Sequence, residues 1–83
     1  MKYELSQHAI DSVAERQIPI EWIERVLSSP AQRMPDRRDA ALEHRLGVIE
    51  EHEGRVLRVV VNPTAVPIRV VTVYFDRTMK GKL

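Results

Sequence analysis

Eighty-three residues with no cysteine, three glycines and a formal net charge of +1 exclude disulfide frameworks, thiolate metal centres and thiol nucleophiles. Gly47, Gly54 and Gly81 are placed so that neither a G-x-G-x-x-G fingerprint nor a P-loop can be written from them. The length, with 43% hydrophobic and 30% charged residues, suits one globular domain over residues 1–83, and no apolar run approaches the ~18 residues that span a bilayer, so a cytoplasmic chain without membrane contact is expected.

In chain order, Lys2–Leu5 alternates weakly and reads as a short edge strand. Ser6 has the chemistry of an N-cap, and Leu5 with Ile10 has the spacing of a hydrophobic staple. Ala9, Ile10, Val13 and Ala14 make one stripe of a helix over 7–16. Pro19 cannot continue that helix but suits the start of a second over 20–28, whose broader stripe is Ile20, Trp22, Ile23, Val26 and Leu27. Residues 31–41 are polar, contain Pro35 and read as a loop. Residues 42–50, 55–62 and 68–76 read as an antiparallel meander, the last two being Val-rich. A tight turn at Glu51–Gly54, with Gly54 at positive φ, and a longer one at Asn62–Pro67 join the strands. Residues 77–83 form a basic tail. The expected fold is α+β, with a short N-terminal strand and two helices packed on one face of a three- to four-stranded antiparallel sheet.

Strand pairing assigns the faces. With Glu50 opposite Arg55 and Asn62 opposite Ile68, His44, Leu46, Leu57, Val59, Val73 and Phe75 face the helices. Arg45, Gly47, Arg58, Thr72 and Tyr74 then share the uncovered face. Ten of the thirteen cations are Arg, whose planar fork of donors suits phosphate and carboxylate. The second half, residues 42–83, carries seven cations against five anions, ending on Arg77, Lys80 and Lys82 with no acid among them. Arg58 beside Thr72, with Tyr74 and Arg45 near, is the combination that a site for an RNA phosphate and a stacked base uses.

The histidines divide by position. His44 falls on the apolar face as a hydrogen-bonded core residue, and His52 at a turn as a solvated tip. His8, in the first turn of the first helix and off its apolar stripe, is the histidine left for proton transfer. No H-x-x-x-H or H-E-x-x-H spacing exists, so neither a metal nor a cofactor is expected. A helix-turn-helix is disfavoured because the second helix would lead with Glu21 and Glu24 towards phosphate.

Taken in order, Ser6-x-His8-Ala9, Glu15-Arg16-x-Ile18, Trp22-Ile23-x-x-Val26-Leu27 followed by Pro30, the run Gly54 to Val61, and the run Val70 to Arg77 resemble the domain-of-unknown-function family 4258 over nearly the whole chain. Those proteins are similar in plan to RelE-like toxins, with a β-α-α-β-β-β layout. Gln17 stands where the family often has Gly. The resemblance implies a small metal-free ribonuclease that cuts mRNA, usually on the ribosome, and is silenced by an antitoxin. The matching positions are Arg45, Arg58, Tyr74 and Arg77, with His8 added from the family pattern. Together with Thr72, these divide into catalytic candidates His8, Arg58 and Tyr74 and substrate-binding candidates Arg45, Thr72 and Arg77. The alternative is a non-enzymatic module that binds a peptide or protein, such as an antitoxin or a second copy forming a homodimer. It would use the sheet face or an edge, for which Ile68–Phe75 is available unless the N-terminal segment covers it.

Overall fold

Ser6 ends a short first strand, β1 (Tyr3–Leu5), and starts the first helix, α1 (Gln7–Arg16), in the computed structural model, which describes residues 2–83. Its Oγ accepts from the Ala9 amide at 3.1 Å and donates to the Val71 carbonyl at 2.8 Å, so one side chain caps the helix and fastens it to the sheet. Gln17 closes α1 with φ 53° and ψ 47°, the left-handed conformation that costs a side chain about 1–2 kcal/mol and that Gly adopts freely. Replacing Gln17 by Gly is therefore expected to stabilise the fold by about 0.5–1 kcal/mol after the added entropy of the unfolded chain is counted. Thermal denaturation followed by circular dichroism should show a higher Tm, and an unchanged or lower one contradicts the assignment.

Pro19 precedes the second helix, α2 (Ile20–Ser28), and its fixed φ starts the helix cleanly. The apolar stripe of α2 buries Ile23, Val26 and Leu27, while Ala9 of α1 and Ile18 of the connection complete the helical side of the core. Leu57, Val59, Val61, Val70 and Val73 form the sheet side. Each such side chain contributes about 1.5–3 kcal/mol when removed from water.

After α2 the chain makes a strand where the polar composition suggested a loop. This is β2 (Gln32–Pro35), paired antiparallel with β3 (Glu43–Ile49), with Met34 opposite His44. A polar strand ending on proline is tolerated because an edge strand needs only one side of its hydrogen-bond ladder. Next come β4 (Arg55–Asn62) and β5 (Ile68–Phe75), and β1 joins Ile68–Val70 in parallel. The result is α+β, two helices on a mixed five-stranded sheet of order β1-β5-β4-β3-β2. The sheet therefore has one strand more than the upper expectation, and one parallel pair. The N-terminal segment covers the Ile68–Phe75 edge over Ile68–Val70, as β1, and the opposite edge is β2.

The turns decide which side chains share a face. Glu50–His52 coils into a 3-10 turn, and both Glu53 (φ 58°) and Gly54 (φ 68°) take positive φ, so Ile49 and not Glu50 lies opposite Arg55. That one-residue slip turns β3 over. Arg45 and Gly47 now lie on the helix side, and His44 and Leu46 on the other. The turn after β4 sets Asn62 opposite Arg69 instead of Ile68, and a bulge between Val60 and Val61 then pairs Val61 with Val70 and Val60 with Thr72; the two one-residue shifts together put Arg58 opposite Tyr74 in place of Thr72. Val70, expected on the open face, is buried in the core.

Gly47 is where α2 meets the sheet: a Cβ added there would stand 2.9 Å from Val26 Cγ2. Arg45 beside it is 8% exposed and sends Nη1 to the Leu27 carbonyl at 3.0 Å, binding the C-terminal turn of α2. Among the described residues no helix is long and apolar enough to cross a membrane.

Candidate functional site

The face turned away from the helices carries the charged chemistry. Arg58, from the middle of β4, sends Nε and Nη2 to Asp76 Oδ2 at 2.9 and 2.6 Å. Its Nη1 lies 2.8 Å from His44 Nδ1 and 3.7 Å from Met34 Sδ. His44 Nε2 is 2.7 Å from Asp36 Oδ1. A guanidinium has donors only, so His44 Nδ1 accepts from Arg58, and the ring hydrogen on Nε2 goes to Asp36. The four side chains form a continuous hydrogen-bonded chain, Asp36–His44–Arg58–Asp76, across β3 and β4.

Both ends of that chain are fixed by local backbone. Asp36 Oδ2 accepts the Arg38 and Asp39 amides at 3.0 and 2.9 Å, folding the segment after β2 around its carboxylate. The hydrogen bond from His44, then those from the Asp39 and Arg38 amides, hold the Asp36 carboxyl down at about 2. Asp76 Oδ1 accepts the Thr78 hydroxyl at 2.6 Å and amide at 2.9 Å, starting a 3-10 turn at Arg77–Met79. The Thr78 hydroxyl first, and Arg58 against the opposing effect of burial, keep the Asp76 carboxyl below its usual range.

A groove of about 320 Å³ opens over the His44 end, lined by Met34, Pro35, Asp36, Arg37, Arg38, His44 and Arg58. Arg37 and Arg38 are exposed, and among the described residues neither has a carboxylate within 4 Å. Three guanidinium groups and one imidazole thus share one groove, an arrangement suited to an anion such as phosphate. Among the described residues no cluster of three or more His, Asp or Glu has the geometry to hold a metal ion.

The sequence candidates separate in space. Arg58, Thr72 and Tyr74 share the open face, Tyr74 directly across the β4–β5 pair from Arg58. Arg45 leaves the set: it lies under α2, bonded to Leu27 and to Glu43 Oε2 at 2.8 Å. His8 is exposed on α1, which packs on the opposite face of the sheet, so the fold does not bring it to Arg58 or Tyr74. Arg77 sits in the terminal 3-10 turn and lines a separate recess. His52 is not a solvated tip: it packs between Trp22 and Phe75, with ring centroids at 5.3 and 4.8 Å.

His44, Arg37 and Arg38 are the site residues that sequence reasoning missed. For His44 the signal was present but read with the wrong parity, because the 3-10 turn after Ile49 consumes the extra residue. For Arg37 and Arg38 no periodic signal existed. Their position comes from the Asx-type turn that Asp36 makes next to an unrecognised edge strand.

A family model described as Domain of unknown function (DUF4258) matches residues 5–75. No curated protein and no solved structure matches the chain.

Proposed function

Given that the chain belongs to the DUF4258 family, we propose that it is a RelE-like toxin-type domain acting as a metal-independent endoribonuclease, with the groove over His44 and Arg58 as its RNA site. The observation that supports this reading is the meeting of Arg37, Arg38, Arg58 and His44 in one groove. RNA cleavage by the neighbouring 2′-hydroxyl needs a base for the 2′-proton, cations for the pentacoordinate phosphate and an acid for the leaving 5′-oxygen. A phosphate entering the groove takes hydrogen bonds from Arg58 and frees the Nδ1 lone pair of His44, which accepts the 2′-proton. Asp36, bonded to Nε2, stabilises the imidazolium that forms, as a carboxylate does for a catalytic histidine. The 2′-oxygen bonds to phosphorus, the bond to the 5′-oxygen breaks, and Tyr74 supplies the proton to that oxygen. Arg58, Arg37 and Arg38 carry the added negative charge.

Incubating the chain with RNA in the presence of EDTA tests the reading. Wild type should cut, and a folded Arg58→Ala variant should lose most of the rate, by about a hundredfold or more if one charge-stabilising group is removed. Intact RNA with wild type, or full activity in Arg58→Ala, removes it.

A second reading, a module that binds a protein partner without catalysis, is favoured by β2. This strand is an exposed edge whose Met34 and Pro35 line the groove, so a partner adding a strand there would dock next to it. For a toxin, that partner would be the antitoxin. Failure of the isolated chain to cut RNA would favour this reading over the first.

A further inference from the structure

Arg55, Arg77 and Lys80 converge on a recess of about 260 Å³ at the C-terminal end of β5, with Phe75 and Asp76 in its wall. Among the described residues none of these three cations has a carboxylate within 4 Å. Asp76, the acid in the wall, is already committed: Oδ2 serves Arg58 and Oδ1 serves Thr78. The recess therefore carries uncompensated positive charge. Phe75 gives it an apolar wall, and that ring is held by His52 at 4.8 Å and by the edge of Trp22 at 6.2 Å.

Unpaired cations around a fixed aromatic ring are what a phosphate joined to a planar base requires. The volume lies just below the roughly 300 Å³ at which pockets for drug-sized ligands begin, and so suits no more than one nucleotide. The recess also touches the site already described: Asp76 lines it, and its ion-pair partner Arg58 lines the His44 groove.

We propose that this recess binds a nucleotide, its phosphate on Arg55, Arg77 and Lys80 and its base against Phe75. The nucleotide is either free or one unit of an RNA strand whose neighbouring phosphate lies in the His44 groove. The strand form rests on the ribonuclease reading; binding in the recess does not.

Titration of the isotope-labelled full chain, followed by NMR, tests this with adenosine 5′-monophosphate and, in parallel, a tetranucleotide RNA. Both should shift the signals of Arg55, Phe75, Arg77 and Lys80. Arg55→Ala and Arg77→Ala should each weaken binding about tenfold, in the range expected for loss of one charge-assisted contact. For the RNA, each removed cation should also reduce the slope of log K against log salt by about 0.7. Tighter binding of the tetranucleotide supports a strand site, and equal affinity supports a free-nucleotide site. The proposal is overturned if neither ligand moves those signals, if the folded Arg55→Ala and Arg77→Ala variants bind like wild type, or if inorganic phosphate binds as tightly as the nucleotide. Because the readout is binding, a chain that cuts no RNA removes the ribonuclease reading and leaves this one standing.

Discussion

Asp76→Ala is expected to destabilise the fold by about 3 kcal/mol, the low end of the range for removing one partner of a buried ion pair. The Arg58 and Asp76 side chains are only 11% and 12% exposed, so Arg58 would be left charged and largely away from water. The same substitution removes both Thr78 hydrogen bonds that start the terminal 3-10 turn. That turn packs back on β4, so the loss extends beyond the ion pair itself. Urea unfolding measures the effect. Arg58→Met in the Asp76→Ala background should recover much of it, since an apolar pair avoids the orphaned charge. The sign of the acid dependence follows as well. The folded-state carboxyl of Asp76 is lowered, so its favourable contribution is present above the unfolded value near 3.8 and is lost as pH falls through the folded one. Asp36 behaves likewise, its contribution disappearing as pH falls from 3.8 towards about 2. Asp76→Ala should remove its share of this acid dependence. A loss below about 1 kcal/mol, the level of a surface pair, contradicts the picture of a buried pair.

Gly47→Val should be at least as damaging, at about 3 kcal/mol or more, the upper end of core overpacking. The added Cβ alone would lie 2.9 Å from Val26 Cγ2, before either Val methyl is placed. Val26 is 1% exposed and β-branched, so it has no second rotamer into open space. Moving α2 outward would stretch the Arg45 bond to Leu27 that binds its last turn. Gly47→Ala should cost about 1–3 kcal/mol. Val26→Ala, which makes room at this contact, should offset part of that cost in the double variant. Equal stability of Gly47→Ala and wild type by urea unfolding would show that α2 sits further from β3 than the contact implies.

The two helices were legible because their apolar stripes recur at helical spacing between clear boundary residues, Ser6, Pro19 and Pro30. The strands β4 and β5 were legible from their valines. The edge strand β2 was not: four polar-to-mixed residues ending on proline carry no alternation, and only pairing with β3 makes them a strand. The site was half legible. Arg58, Thr72 and Tyr74 share the open face because β4 and the C-terminal half of β5 kept their expected parity. Arg45 and His44 exchanged sides because a 3-10 turn of three residues cannot be distinguished from a tight hairpin by composition alone. The exchange has a chemical consequence. The buried arginine became a helix-end ligand, and the histidine expected in the core became the group between Asp36 and Arg58.

End-group analysis of RNA cut in EDTA tests the central claim most directly, with wild type and His44→Gln compared. Glutamine retains a donor for Asp36 and an acceptor for Arg58, so the variant is expected to fold, but it cannot take the 2′-proton. Wild type should leave 2′,3′-cyclic phosphate ends, and His44→Gln should leave the RNA intact over the same period. Equal cleavage by the two proteins, or products with free 3′-hydroxyl ends, would contradict a reaction run by His44 and Arg58 on the open face of the sheet.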